Sequence, residues 1–361
     1  MTLRQQKHRF QKLPIGPKEI NKVDVRIQMN KMISEARKIA KPQKCILCNK
    51  EKTSFCNSHS VPQMSLKCIA DNGKLLHASA LMGFDSEIVD LENGVNKSGT
   101  FNYICRECDN SFFKDYETPD SLLTTPTDKV LSEIAVKNMI QFMSKRAIEK
   151  ELIKIQQKKF ATFINPQEAL DLKELDFNEF EQEVLFHKNI ADNNLKGGYQ
   201  IICHEILPYI VPIAMQSAIA MVKDYKGNQI NNVFDFRNTT RMQYLHICVF
   251  PLERQSVILV FYHKRDKLYR SLRHQLNSLS LDEKLKYFNY LIFEYTENYF
   301  ISKNIQKEVE TNDKLKLLSC ENNGMPDFGM FNFNNIFGVN YKQVSMNDIP
   351  NFLSSELKIS K

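Results

Sequence analysis

No segment of this 361-residue chain is long and apolar enough to cross a bilayer. The longest nearly apolar run, Ile210 to Val222, has 13 residues and is interrupted by Pro212 and Gln216, against the roughly 18 to 20 that a span needs. A Walker loop, a GxGxxG turn and a GxSxG elbow are all missing, which leaves nucleotide binding and serine-hydrolase chemistry without sequence support. No internal repeat points to a solenoid. The N-terminal MTLRQQKHRFQK is basic, but neither an apolar h-region nor a small-residue cleavage site follows it, so a secretory signal is not expected and the cytoplasm is the expected compartment. Cysteines are odd in number, nine in all, and four of them form CxxC pairs. In a reducing compartment that pattern favours metal ligation over a disulfide framework.

What is present has globular composition, 42% apolar and 25% charged, and a length that suits two ordinary domains. The net charge of +7 is unevenly spread: residues 1–44 hold 12 Lys and Arg against 3 Asp and Glu, and the remainder holds 37 against 39. Such an arm reads either as a handle for phosphate backbone, where each neutralised phosphate releases a condensed counterion, or as a solvated tail. The basic stretches Lys145 to Lys159 and Lys264 to Arg273 read as the wet faces of structural elements.

Along the chain, Pro17 opens a helical pattern through Ile20, Val23, Ile27 and Met32 that ends before Pro42. Residues 45–118 are irregular and punctuated by glycine, a segment whose small core a metal would stabilise. Residues 119–192 form a helical connector, with one helix from Asp128 to about Lys159 on the stripe Leu131, Ala135, Met139, Phe142, and another from Pro166 to about Ala191. Residues 193–304 carry β-type runs at Tyr199–Ile206, Ser217–Tyr225, Tyr244–Phe250 and Ser256–Tyr262, which read as an antiparallel sheet. Ser280 and Glu283 form a capping box ahead of Leu285, Phe288, Ile292, Tyr295 and Tyr299, a helix expected to cover that sheet. Residues 305–361 read as an irregular tail. The fold class is therefore α+β.

Cys45 and Cys48, and Cys105 and Cys108, are spaced so that each pair can turn two thiolates toward one ion, and a tetrahedral zinc site of all four is the simplest reading. Cys45, Cys48, Cys56 and His59 spell a second acceptable set, three thiolates and an imidazole, which would leave Cys105 and Cys108 without partners. The other histidines (His8, His77, His187, His204, His246, His263 and His274) form no local pair at metal spacing and read as structural or exposed. His59 itself reads as a functional or a satisfied structural histidine.

The order CxxC, His59-Ser60-Val61-Pro62, then CxxC followed by Asp109 and Asn110 is similar to the zinc-bearing branch of the HNH endonuclease superfamily, over residues of about 45–118. The resemblance implies a ββα-metal element braced by a treble-clef zinc site, ahead of the helices and the sheet. It implies His59 as the general base that activates water, and Asp109 at the last metal-binding position. A carboxylate there suits Mg2+ or Mn2+, which would polarise the scissile phosphate. Ser58 stands where the family usually has a metal-binding Asp, Glu or His. Asn102 and Thr100 lie near the place of the family's middle Asn, and Glu117 is a further carboxylate. If Asp109 to Glu117 is helical, about 12 Å of rise keeps those two carboxylates from one ion.

The activity so implied is metal-dependent hydrolysis of DNA with a purely structural zinc. Residues from about 160 onward would sense, target or dimerise; nucleic acid, DNA first, is the expected partner and a membrane is not, while the sequence leaves the oligomeric state open, a homodimer included. Two other classes fit the same residues: a non-catalytic nucleic-acid-binding or regulatory module, and a protein-interaction module held by zinc.

Overall fold

A computed structural model describes residues 22–78, 89–159, 166–320 apart from 234, 236 and 238, and 344–359. The expected start of the first helix at Pro17, and most of the basic arm, lie outside the described residues. Helix α1 spans Lys22–Ile39 and buries Met32, Ile33 and Ala36, whereas Ile27 is exposed. The cysteine-bearing segment follows with β1 (Ser58–His59), α2 (Gln63–Ile69), β2 (Lys74–Ala78), β3 (Val89–Gly94), β4 (Thr100–Phe101), α3 (Arg106–Phe112) and α4 (Pro119–Leu123). Two long helices, α5 (Asp128–Lys159) and α6 (Pro166–Asp192), then form an antiparallel hairpin, as the contacts of Phe142 with Phe180, Arg146 with Asp176 and Lys150 with Glu174 require.

The second half supplies β5 (Tyr199–Leu207), β6 (Ile213–Ile219), β7 (Leu245–Pro251), β8 (Ser256–His263), α7 (Tyr269–Asn277), α8 (Leu281–Tyr295), β9 (Tyr299–Ile301), α9 (Gln306–Glu310) and α10 (Asp313–Cys320). One seven-stranded sheet runs in the order β3-β2-β9-β6-β7-β8-β5, antiparallel at every step. Two of its strands therefore come from residues 45–118, and one continuous core extends from Cys45 through α5 to Phe300. On the opposite face, Ile213, Met215, Leu245, Ile247 and Ile258 pack on α7, α8 and the C-terminal Phe352 and Leu353. The result is a helix–sheet–helix arrangement.

Covering both faces explains where strand reading from the sequence went astray. β6 is buried at every residue, so it has no polar alternation to mark it. It begins at Ile213 and ends at Ile219, not Ser217 to Tyr225, and residues Asp224 to Asn228 form a turn closed by Gly227 N–H to the Asp224 carbonyl. The stripe expected to run through Tyr299 stops at Tyr295: Thr296 is extended, and Tyr299 opens β9, whose backbone pairs with both β2 and β6. The capping box at Ser280 and Glu283 is present in both directions. Among the described residues the tail contains two short α-helices, and Val344, Ile349, Phe352 and Leu353 are buried, so residues beyond 304 contribute core.

α5 is the axis of the molecule. It touches α1, α6 and β6, and its residues from Val130 to Ile140 are all buried. A helix enclosed on every side must find partners for each polar residue it carries. Asn138 does so by facing His246 at 3.1 Å and accepting from Gln216 at 3.0 Å. Arg146, expected on a wet face, is instead 2% exposed and bonds Glu149 and Asp176, with Lys173 completing the cluster.

Candidate metal centre

Cys45 and Cys48 sit on a tight turn held by the bridge between Lys44 and Glu51, with Cys45 N–H bonded to the Lys50 carbonyl and Asn49 in the left-handed region at φ 55. Asn tolerates that conformation better than most residues. Cys105 is the residue before α3 and Cys108 lies in its first turn. The Cys105 N–H donates to the Cys45 sulfur at 3.3 Å, which ties the two pairs together. All four sulfurs lie within 4.8 Å of one another, close to the roughly 3.8 Å edge of a tetrahedral zinc–thiolate site. The donor set fits zinc, and these four cysteines could hold such a metal. The Lys50 amide brings the Cys48 thiol down to about 7, whereas burial and its thiol neighbours push Cys108 up. Four crowded thiols resist ionising together unless a cation compensates them.

The three-thiolate set with His59 is not assembled. The Cys56 thiol donates to the Ile104 carbonyl at 3.2 Å, and the His59 ring meets the Val95 carbonyl through Nε2 at 3.1 Å. Among the described residues no other group of His, Cys, Asp or Glu converges on a place for an ion.

The position that the resemblance gives to Mg2+ or Mn2+ holds a side chain. Ser58 is fully buried and donates to Asp109 Oδ1 at 2.6 Å. Lys137 of α5, 1% exposed, donates to Ser58 Oγ at 2.8 Å and to Asp109 Oδ1 at 3.0 Å, and lies 3.2 Å from Glu117 Oε1. An ammonium has three donors, and these three oxygens use them all. The Phe113 ring, 3.9 Å from Nζ, closes another side. A divalent ion placed about 4 Å from this ammonium would meet repulsion on the order of 8 kcal/mol at an effective dielectric constant of 20.

Asp109 and Glu117 thus do share a cation. The expectation that helical rise separates them fails because α3 stops at Phe112 and residues 113–118 turn back. Burial works against ionised Asp109, but the Lys137 charge and the Ser58 hydroxyl outweigh it and hold its carboxyl below its ordinary value. Asn102 is committed to the β1–β4 pair, donating to the Cys56 carbonyl at 2.9 Å and to Asn57 Oδ1 at 2.7 Å.

Strand β1 pairs with β4, His59 opposite Thr100 and Ser58 opposite Phe101. Burial depresses the His59 pKa, with the Lys137 charge adding to it, so the imidazole is neutral at physiological pH. Its Nε2–H then donates to Val95, which leaves the Nδ1 lone pair as its basic site.

Two features escaped sequence reasoning. Lys137 carries no local motif, since its partners lie 28 and 79 residues away in the chain. A second cluster brings His187 of α6, His246 of β7 and His263 of β8 together, with ring centroids 5.8 and 6.1 Å from His187. His187 Nδ1 lies 2.6 Å from the Tyr199 hydroxyl, and burial holds His187 and His246 well below the usual histidine range. The period-2 alternation of β7 and β8 puts His246 and His263 on the α5-facing side, the only signal that could have found them. Compared with known proteins, the chain matches no family model, no curated protein and no solved structure.

Proposed function

We propose that this chain is a zinc-stabilised nucleic-acid-binding module on an HNH-like scaffold, in which a lysine ammonium stands where a hydrolytic centre would hold its divalent ion. The observation that carries this reading is Lys137 bonded to Ser58 and Asp109 and paired with Glu117. The order of parts supports the scaffold: a cysteine turn at 45–48, the antiparallel pair of β1 and β4, then α3 with Cys105 just before it and Cys108 in its first turn, an order like that of a treble clef with α2, β2 and β3 inserted between its two strands. In this reading Cys45, Cys48, Cys105 and Cys108 hold zinc, which supplies a cross-link and no chemistry. Binding draws on the uneven charge, 12 basic against 3 acidic residues in the first 44.

A second reading, hydrolysis of DNA with His59 as base, draws on the neutral imidazole and its Nδ1 lone pair. One set of measurements separates the two. Labelled DNA and RNA oligonucleotides should bind with an affinity that falls steeply with salt and does not change in His59→Ala. Supercoiled plasmid should stay intact with Mg2+ or Mn2+. Cleavage that His59→Ala abolishes would establish hydrolysis instead. Metal analysis of the same preparation should give one zinc per chain, lost in Cys105→Ser.

A further inference from the structure

A cleft of about 630 Å3 opens between the end of α1, β4 with its flanking residues, the middle of α5 and the segment that leads into β9. Its lining includes Arg37, Lys38 and Lys41 from the α1 side, Lys97 from the turn before β4, and Lys145 from α5. The single carboxylate in the lining, Glu297, is bonded to Lys145 at 2.8 Å. Among the described residues none of Arg37, Lys38, Lys41 and Lys97 has an acidic partner. Four unpaired cations facing one concavity repel one another. An anion with spaced charges relieves that repulsion.

The wall is held in place by Gly99, whose φ of +62 and close approach to Phe300 and Ser60 leave no room for a side chain. Ser60 in turn donates to Asn298, and Asn298 to the Gln216 carbonyl, so the β1–β4 pair is pinned to the larger sheet. The aromatic residues in the lining, Phe101, Tyr103, Phe142 and Phe300, are all under 9% exposed. They form the apolar floor and are too covered to stack on bases, as single-strand binders with aromatic platforms do.

We infer that this cleft seats the sugar–phosphate backbone of a single nucleic-acid strand, gripped through phosphates by Arg37, Lys38, Lys41 and Lys97. The inference rests on the nucleic-acid reading above and names its site. A duplex is too wide to enter a cleft of about 630 Å3, whereas a single sugar–phosphate backbone is not. Recognition through phosphates alone carries no base preference. Four phosphate contacts on a single strand give a slope of log affinity against log salt of about −3, and each cation removed flattens it by about 0.7.

The test uses the full chain and a labelled 20-residue oligothymidine, beside an oligoadenosine and a duplex of the same length. The single strands should bind alike and more tightly than the duplex. Arg37→Gln with Lys41→Gln and Lys97→Gln, all at exposed positions, should weaken them at least tenfold and flatten the slope by about 2, with an unchanged thermal midpoint. Wild-type binding that the triple variant keeps would overturn the cleft and leave the nucleic-acid reading standing. No binding by the wild-type chain to any of the three would overturn both. A preference for the duplex, or equal loss of binding to anionic vesicles used as a control, would overturn the single-strand assignment.

Discussion

Helix α5 buries a cation at Lys137 and another at Arg146, and the two are held in opposite ways. Arg146 draws Glu149 from its own helix and Asp176 from the facing one, and Lys173 shares Glu149. Two cations meet two carboxylates there, both halves of the cluster belong to one helical hairpin, and Glu149 is held down to about 2 by Arg146 and Lys173 against the effect of its burial. Lys137 instead gathers Ser58, Asp109 and Glu117 from the cysteine-bearing segment, one cation to two carboxylates. The balanced cluster is a joint between helices. The unbalanced one sets two carboxylates and a hydroxyl around one lysine, which neutralises only half of their charge.

The largest effect should come from removing the lysine. Lys137→Met leaves the half-buried Asp109 with only the Ser58 hydroxyl and no cation, with a cost of about 3 to 5 kcal/mol in denaturant melts. Mn2+ at millimolar concentration should then raise the melting temperature of the variant and leave the wild type unchanged, because Asp109 and Glu117 become free to hold an ion. Equal responses of the two proteins would break the comparison. Adding Ser58→Asp to Lys137→Met supplies a third oxygen ligand and should lower the Mn2+ concentration required.

Arg146→Met should cost less, about 3 kcal/mol, since Lys173 remains to compensate Glu149. No divalent ion should rescue it. If Mn2+ stabilised this variant as it does Lys137→Met, the effect would be general charge neutralisation and the distinction between joint and site would fall.

The two clusters also differ in how far sequence could reveal them. Local signals carried the helices well: α5 begins at Asp128, α6 runs from Pro166 and the capping box precedes α8, because caps and periodicity act over one or two turns. The paired spacing brought out the four cysteines, since metal geometry constrains each CxxC locally. The Arg146–Glu149 half of the joint is an i,i+3 pair and could have been read from the helix. Lys137 could not. Its partners are set by how the cysteine segment docks on α5, and a lysine amid Ile134, Ala135, Val136 and Met139 reads as an ordinary interruption of an apolar stripe. The antiparallel sheet was legible at β5, β7 and β8, but not its other half, because β2, β3 and β9 reach β6 through contacts far apart in sequence.

The smallest effect concerns Glu133, one turn before Lys137, which shows what a buried charge on α5 does without a close cation. It is 1% exposed, accepts from the Tyr116 N–H at 3.1 Å, and lies 3.8 Å from Lys129, whose closer partner is Asp115 at 2.6 Å. Burial pushes its carboxyl up to about 7, only partly offset by the Tyr116 amide. The folded state therefore keeps a proton that the unfolded chain has already lost near pH 4.5, and stability should fall as pH rises from about 4.5 to 7. Asp109, held low, acts in the opposite sense: its contribution is present above the ordinary carboxylate value and is lost as pH falls through the lowered one. Asp266, raised to about 6 by burial against the pull of Arg241, adds to the fall in the same window and is unaffected by a change at 133. Glu133→Gln keeps an acceptor for Tyr116 and removes the ionisation, so at pH 8 it should be more stable than the wild type by about 1 to 3 kcal/mol, and at pH 4 nearly equal to it. Melts of both proteins across that range check the sign. A variant that is less stable at pH 8 would mean that Lys129 does compensate Glu133.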